Sequence, residues 1–314
     1  MIKKFGLNFV RYPLGVHFMK KLALAAAAAT MMFAGAASAA DMAVPVKAVA
    51  VVPPPPPVWD LAFGVTATSD YLFRGISQTN NNPAIQGFAE LQLFDWVYFN
   101  VWASNQNWVQ NFQVDSNSSL EVDFAGGLRH TWGAFTLDVG GVYYTYPGGS
   151  DSFGLSSTDY NYWEIYAKPT YVVAPWLTLG VNLFWTSDMY ATGTDGTALS
   201  LTAKVPLPSF GPGGDFGWYL SGEYGYQWLS SSAYTYDVDY VVGPSIVTVQ
   251  ETINGYSWWN VGVGFTYKAA TLDLRYSGTD LSSTNCAYII GISNGCGDKF
   301  IASLSFATSF NALK

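Results

Sequence analysis

Charge is the scarcest ingredient of this 314-residue chain, with Asp, Glu, Lys and Arg making up 11% of it, against roughly 25% in ordinary soluble domains. A water-covered surface is hard to build from so few charges. Histidine is scarcer still: His17 and His130 are the only two. His17 falls in a leader segment and His130 beside Trp132 at a predicted turn. A Ser-His-acid triad therefore has no available base, and no enzyme of that kind is expected. The same counts exclude a His-rich or Cys-rich metal site, since cysteine is limited to Cys286 and Cys296. With 14 bases against 22 acids, a formal net charge of −8, a nucleic-acid partner is excluded. The glycines lie on strands and turns and not in a strand-turn-helix phosphate loop, and no organic cofactor is expected. Beyond the leader there is no run of about 18 apolar residues of the kind a membrane helix needs.

What remains is apolar, aromatic and rich in glycine. Half of the residues are apolar, and 12 Trp, 21 Tyr, 20 Phe and 31 Gly are spread along the chain. Such a composition without membrane helices has one common solution, a closed β-barrel in an outer membrane.

Residues 1–39 read as a signal peptide. Met19-Lys20-Lys21 opens a positive segment, Leu22 to Ala36 is apolar, and Ala37-Ser38-Ala39 fits a small-x-small cleavage site, with Met19 an alternative start. The leader holds Lys3, Lys4, Arg11, Lys20 and Lys21 and no acid, so the mature chain, Ala40 to Lys314, keeps 9 bases against 22 acids. Secretion through the inner membrane into an oxidising compartment predicts a disulfide between Cys286 and Cys296, with two free thiols as the alternative. Residues 40–58 contain five consecutive prolines, Pro53 to Pro57, which form a polyproline rod without donors for a sheet. They read as a periplasmic spacer.

From Trp59 the period is two. Trp59, Leu61, Phe63 and Val65 share one face, and Asp60, Ala62, Gly64 and Thr66 the other. Ten-residue segments of this kind recur near 84–94, 96–105, 120–129, 134–146, 159–172, 177–186, 197–206, 216–228, 256–267, 271–279 and 299–310. Their connections alternate: 70–83, 106–118, 147–158, 187–196, 229–255 and 280–298 are long. Asp95, 131–133, 173–175 and 268–270 are short, and 207–215 is intermediate. Short periplasmic turns and long extracellular loops produce this alternation. The fold predicted for 59–310 is an all-β transmembrane antiparallel barrel of 12 strands, followed by a C-terminal extension, 311–314. The alternative is 14 strands, if Tyr234–Val242 and Ile246–Ile253 also cross. Trp59, Trp96, Trp132, Trp176 and Trp218 fall at the periplasmic ends; Trp185, Trp228, Trp258, Trp259, Tyr144 and Tyr146 fall near the outer ends, as two aromatic girdles require.

The stretch Ser69-Asp70-Tyr71-Leu72-Phe73-Arg74-Gly75-Ile76-Ser77-Gln78-Thr79, followed by Pro83-Ala84-Ile85-Gln86-Gly87, resembles the opening signature of the TorF-type porins. Trp102-Ala103-Ser104-Asn105, Tyr143 to Gly148 and Tyr276 to Asp280 extend the resemblance over about 59–310. The last strand is similar to the targeting strands that the barrel-assembly machinery receives, although Asn311 to Lys314 follow its Phe310. The lead-in Ala40 to Val46 resembles the mature start of α-proteobacterial outer-membrane proteins. The resemblance implies a porin-type barrel in the outer membrane of a Gram-negative cell and no particular substrate or oligomeric state.

Within the signature, Arg74 is the one cation. It is expected to pair with Asp70 or a lumen acid and pin the turn inward, or else to form part of a constriction; Gly75 permits an unusual backbone. The inward faces offer Asp60, Glu90, Glu121, Asp123, Asp138, Glu164, Glu223 and Asp273 against Arg129, Lys168, Lys204 and Arg275. The loops add Asp115, Asp151, Asp188, Asp195, Asp237 and Asp239, the last two a weak signal for calcium. The porin resemblance implies passive diffusion of small hydrophilic solutes, and the net-negative wall adds the expectation of a weak cation preference. Cross-lumen pairing would instead plug the interior and leave a structural or adhesive barrel, with loop 229–255 as the expected plug. Tyr98, Trp102, Tyr166 and Tyr219 are candidates for stacking on solutes, or for a purely structural role.

Overall fold

The computed structural model describes residues 58–112, 118–148, 160–230, 234–242 and 245–313. The expected signal peptide, nearly all of the expected spacer, and Asp115 and Asp151 lie outside the described residues. In chain order the strands are β1 (Trp59–Thr68), β2 (Leu72–Phe73), β3 (Ile76–Ser77), β4 (Ala84–Leu93), β5 (Val97–Asn105) and β6 (Leu120–Trp132). Then come β7 (Phe135–Thr145), β8 (Tyr162–Ala174), β9 (Leu177–Thr186), β10 (Gly196–Phe210) and β11 (Phe216–Leu229). The last are β12 (Thr235–Val242), β13 (Ser245–Thr252), β14 (Gly255–Tyr267), β15 (Ala270–Thr279) and β16 (Lys299–Ser309). Two short helices, Trp108–Phe112 and Ser283–Ile290, sit in loops.

Twelve strands close one antiparallel barrel, with β1 completing the ring against β16 in the register Val65↔Phe306. Closure matters because an open edge has no hydrogen-bond partner in hydrocarbon. The 12-strand reading holds: β12 and β13 pair with one another, Thr235↔Thr252 to Val242↔Ser245, as a separate hairpin. Phe63, Val65, Ile85, Phe99, Phe124, Leu201 and Phe300 are exposed on the outside of the barrel. Their alternation with inward polar residues places a lipid bilayer around the fold.

Several strand ends differ from expectation. β6 and β7 remain paired through Trp132↔Phe135, so the predicted 131–133 turn shrinks to two residues around Gly133, whose φ is +61°. β8 runs on to Ala174, and β10 pairs up to Phe210↔Phe216. The outer girdle also needs correction. Trp185 and Trp228 are exposed, but Trp258, Tyr144 and Tyr146 are buried inside the barrel. Their inward parity, and not their height along the strand, decides their environment. At the turn end Trp59, Trp96, Trp132 and Trp176 are all exposed, as a girdle requires.

Candidate functional site

The lumen divides into two layers of opposite character. At the turn end its side chains form a mixed, half-buried charge lattice. Arg129 Nη1 donates to Glu90 Oε1 at 2.8 Å and its Nε donates to Asp138 Oδ2 at 3.0 Å. Lys168 approaches the same Asp138 oxygen at 3.8 Å. Across the ring Arg275 Nη2 donates to Asp273 Oδ2 at 2.9 Å and also engages Asn260 and Ser221. Asn260 in turn donates to Glu223 at 3.2 Å. Lys204 lies 4.0 Å from the centre of the Tyr219 ring. Asp60 accepts the backbone N–H groups of Leu61 and Asn311, tying the first strand to the C-terminal segment. Solvent still reaches this layer, with 25% of the Arg129 side chain and 18% of that of Arg275 exposed.

The aromatic candidates serve this wall. Inward glycines make room for the rings: a Cβ on Gly127 would stand 2.9 Å from the Tyr98 hydroxyl, and one on Gly140 2.7 Å from that of Tyr166. The two hydroxyls bond to one another, and Tyr98 also donates to Asp138 at 2.8 Å. Both rings are buried, which removes them as stacking platforms for solutes. Tyr219 carries Lys204 on its face, and Trp102 packs on Tyr71 at 5.2 Å.

At the loop end the lumen is filled. The signature between β1 and β4 folds inward as the small hairpin β2–β3, with Phe73↔Ile76 as its last pair. Arg74 and Gly75 are the two residues of its tip, with φ of +47° and +81°. Positive φ at both positions is the geometry of the tightest hairpin turns. Glycine takes it freely; an arginine there is strained and must be held by its surroundings. A Cβ on Gly75 would also lie 2.6 Å from the Thr279 methyl, so this position admits no larger side chain.

What holds Arg74 is the far wall. Its Nη2 donates to both oxygens of Glu164 on β8, at 2.9 and 2.7 Å, and its Nη1 donates to Gln227 on β11 at 2.7 Å. Counting round the ring from β1, β8 is five strands away in one direction and β11 four in the other. The hairpin thus spans the lumen. Asp70 is not the partner of Arg74: it accepts from Ser77 and Thr79 and pairs with Lys299 on β16 at 3.0 Å. The local pair lost because the turn points Arg74 away from its own base.

Around this strut lies an aromatic packing of Phe73, Tyr144, Tyr162 and Tyr190, with Tyr144 and Tyr162 stacked at 4.5 Å. Trp108 and Val109 of the first short helix and Cys286 and Ile290 of the second complete it. Ser282 caps the second helix, and Cys286 is disulfide-bonded to Cys296. Burial in this packing, followed by the charges of Glu121 and Asp123, pushes the Tyr71 phenol well above its ordinary pKa, so it stays a donor. It donates to Glu121 Oε1 at 3.2 Å. Thr79, Gln106, Val109 and Gln227 have no exposed surface at all. An open channel would leave such inward groups wet.

The described part of loop 229–255 supplies no residue to the Arg74 strut, although its base packs against Phe73 of the inward hairpin. Tyr234 and Ile253 at its base pack on Met189 and Leu229, and Tyr236 donates to Asn285 of the second helix at 2.7 Å. Asp237 is exposed on that hairpin, and the side chain of Asp239 lies outside the described residues. Among the described residues no three His, Cys, Asp or Glu side chains gather as a metal-holding group. Sequence reasoning passed over Gln227, Tyr71 and Tyr190. The alternation of β11 already put Gln227 inward with Glu223, whereas Tyr190 sits in an irregular loop whose direction no periodicity reports.

Residues 55–307 match a family described as a bacterial protein of unknown function (Gcw_chp), and the chain belongs to that family. No curated protein matches it. Among solved structures, the chain is similar to the KdgM porin at 7% identity and a TM-score of 0.40, covering 79% of this chain and 98% of that one. It is similar to the NanC porin at 10% identity and a TM-score of 0.40, covering 79% and 97%. A third is the COG4313 outer membrane channel from Pseudomonas putida F1, at 10% identity and a TM-score of 0.37, covering 81% and 96%. The matched family description does not name the TorF-type porins.

Proposed function

We propose that this Gcw_chp family member is an outer-membrane channel of the porin type for small hydrophilic solutes, seen here with its outer end shut by the Arg74 hairpin. The observation that carries the reading is the contrast along the lumen: a solvent-reached, charged half lies beneath a loop-end packing of several loops, across which the signature hairpin is pinned by Arg74. The plug hangs on two polar anchors, Arg74–Glu164 and Lys299–Asp70. The TorF-type resemblance of that signature supports the same reading, and the leader supports export by a cleaved signal peptide. The barrel-assembly machinery is the expected partner in biogenesis. His130 stacks on Trp96 at 4.0 Å on the outer face, away from the lumen, which supports a channel over a histidine-based enzyme.

The cation bias belongs to the open state. At the turn end acids and bases largely offset one another, whereas Glu121, Asp123 and Glu164 lie beneath the plug and meet permeating ions only when it withdraws. Single-channel recording in a planar bilayer under a salt gradient tests this. Refolded wild-type protein is expected to be shut for long periods with brief openings, and a variant lacking Leu72–Ser77 to give stable, cation-preferring steps. A folded deletion variant that stays silent would overturn the channel reading. It would leave the second one, a non-conducting structural barrel, which the dense loop-end packing favours.

A further inference from the structure

Two successive inward rows of the β4–β5 ladder differ in kind. The row nearer the loop end is aromatic: Phe88 and Trp102 are directly paired, and both are half-buried. Phe88 leans over Gly64 of β1, where a Cβ would stand 2.7 Å from its Cε1, so the ring lies along the wall and not across the lumen. Trp102 packs on Tyr71 of the plug segment at 5.2 Å, which puts this row at the floor of the plug.

The next row toward the turn end is polar, with Glu90 paired to Asn100. Glu90 Oε1 accepts from Gln92 and from Arg129, both at 2.8 Å, and is held in place. Asn100 is held by nothing. It is 3% exposed, and among the described residues neither its Oδ1 nor its Nδ2 has a hydrogen-bond partner. A buried amide with both ends unmet is uncommon in natural walls and costs stability. Asn100 stands two residues from Trp102 on the same face of β5, so the unmet amide and the indole are neighbours.

We propose that Phe88, Trp102, Glu90 and Asn100 form a subsite for one ring of a neutral sugar. A sugar ring carries C–H groups on its faces, which suit an aromatic row, and hydroxyls round its edge. The Asn100 amide offers an acceptor and two donors in one plane, and Glu90 offers further acceptor positions, so the polar row matches adjacent hydroxyls. Apolar surface with a few fixed polar groups is the usual make-up of a small-ligand site. No cation is left for an acidic sugar, because Arg129 is shared by Glu90 and Asp138. The assignment rests on the channel reading, since the solute arrives through the turn end. Because the amide is covered in the solute-free wall, docking includes a side-chain rotamer change, which is common at binding surfaces.

Saturation-transfer NMR on the full chain, folded in the sugar-free detergent lauryldimethylamine oxide, tests the proposal without requiring conduction. The probes are maltotriose and tetraethylene glycol, which is hydrophilic but has no adjacent hydroxyls. Saturable transfer to the maltotriose ring protons, and little to the glycol, is expected. Asn100→Leu and Trp102→Leu should each weaken maltotriose binding roughly tenfold or more, with heat-modifiable mobility on gels showing that the barrel is folded. Where Trp102→Leu fails to fold, Asn100→Leu decides. Equal transfer to both probes, or maltotriose binding that survives Asn100→Leu, would overturn the proposal. Conduction by the variant lacking Leu72–Ser77 would stand through that result, whereas a silent deletion variant whose full-length parent binds maltotriose as expected would sink the channel reading alone.

Discussion

At the turn end of the lumen Arg129 serves two carboxylates while a quarter of its side chain meets solvent; at the loop end Arg74 serves one, Glu164, with their side chains 7% and 1% exposed. The same chemical pair does different work in the two places. Near water a charge lattice gains little net stability and mainly shapes the field that a solute meets. Away from water, a guanidinium and a carboxylate cannot part without leaving a buried charge, so the pair acts as a strut. The hairpin that carries Arg74 is strained at its own tip, which means the strut holds the hairpin in place and not the reverse.

This contrast can be broken in graded ways. Removing Leu72–Ser77 should have the largest effect, converting mostly silent protein into a steady conductor, as bilayer recording would show. Next, Glu164→Ala or Arg74→Ala alone should cost about 3–5 kcal/mol in plug stability by orphaning the partner. The double variant should cost less than the two single effects combined. Hydrogen exchange of the 70–83 amides, with open probability as a second readout, would measure this cycle; strict additivity would mean that the pair does not hold the plug. Gly75→Ala forces an L-residue to φ near +81° against Thr279 and should loosen the hairpin by about 1–3 kcal/mol. Protease nicking within 70–83 would reveal it. Reducing Cys286–Cys296, or replacing both by Ser, removes a short-loop cross-link of roughly 2–3 kcal/mol. More frequent openings without loss of the barrel's heat-resistant mobility on gels are expected. Smallest is Lys204→Gln at the turn end, where a cation–π contact of about 0.5–1 kcal/mol and an attraction to Asp273 are lost. Melting should barely change while the reversal potential shifts toward cations; a large melting shift would erase the distinction between the two layers.

The barrel was largely legible from the residues because its determinants are local. Period two put Glu121, Asp123, Glu164 and Arg129 on inward faces, and alternating connection lengths gave the strand count. Where local rules stop, so did the reading. Tyr234–Val242 and Ile246–Ile253 alternate like membrane strands, and only the closure of β1 on β16 after twelve strands leaves them outside the wall. Trp258 sits at girdle height but faces in. Arg74 had a carboxylate four residues away, yet its partner is 90 residues distant across the lumen.

By itself, then, the sequence determined the barrel, its inward and outward faces and its two kinds of connection, because alternation and turn chemistry act between neighbouring residues and a bilayer admits few other solutions. Tertiary structure alone decided which loop enters the lumen, whom Arg74 meets, and that the loop end is dry while the turn end is wet. Those outcomes depend on which side chains face one another across a closed ring, a relation that arises only when β16 returns to β1.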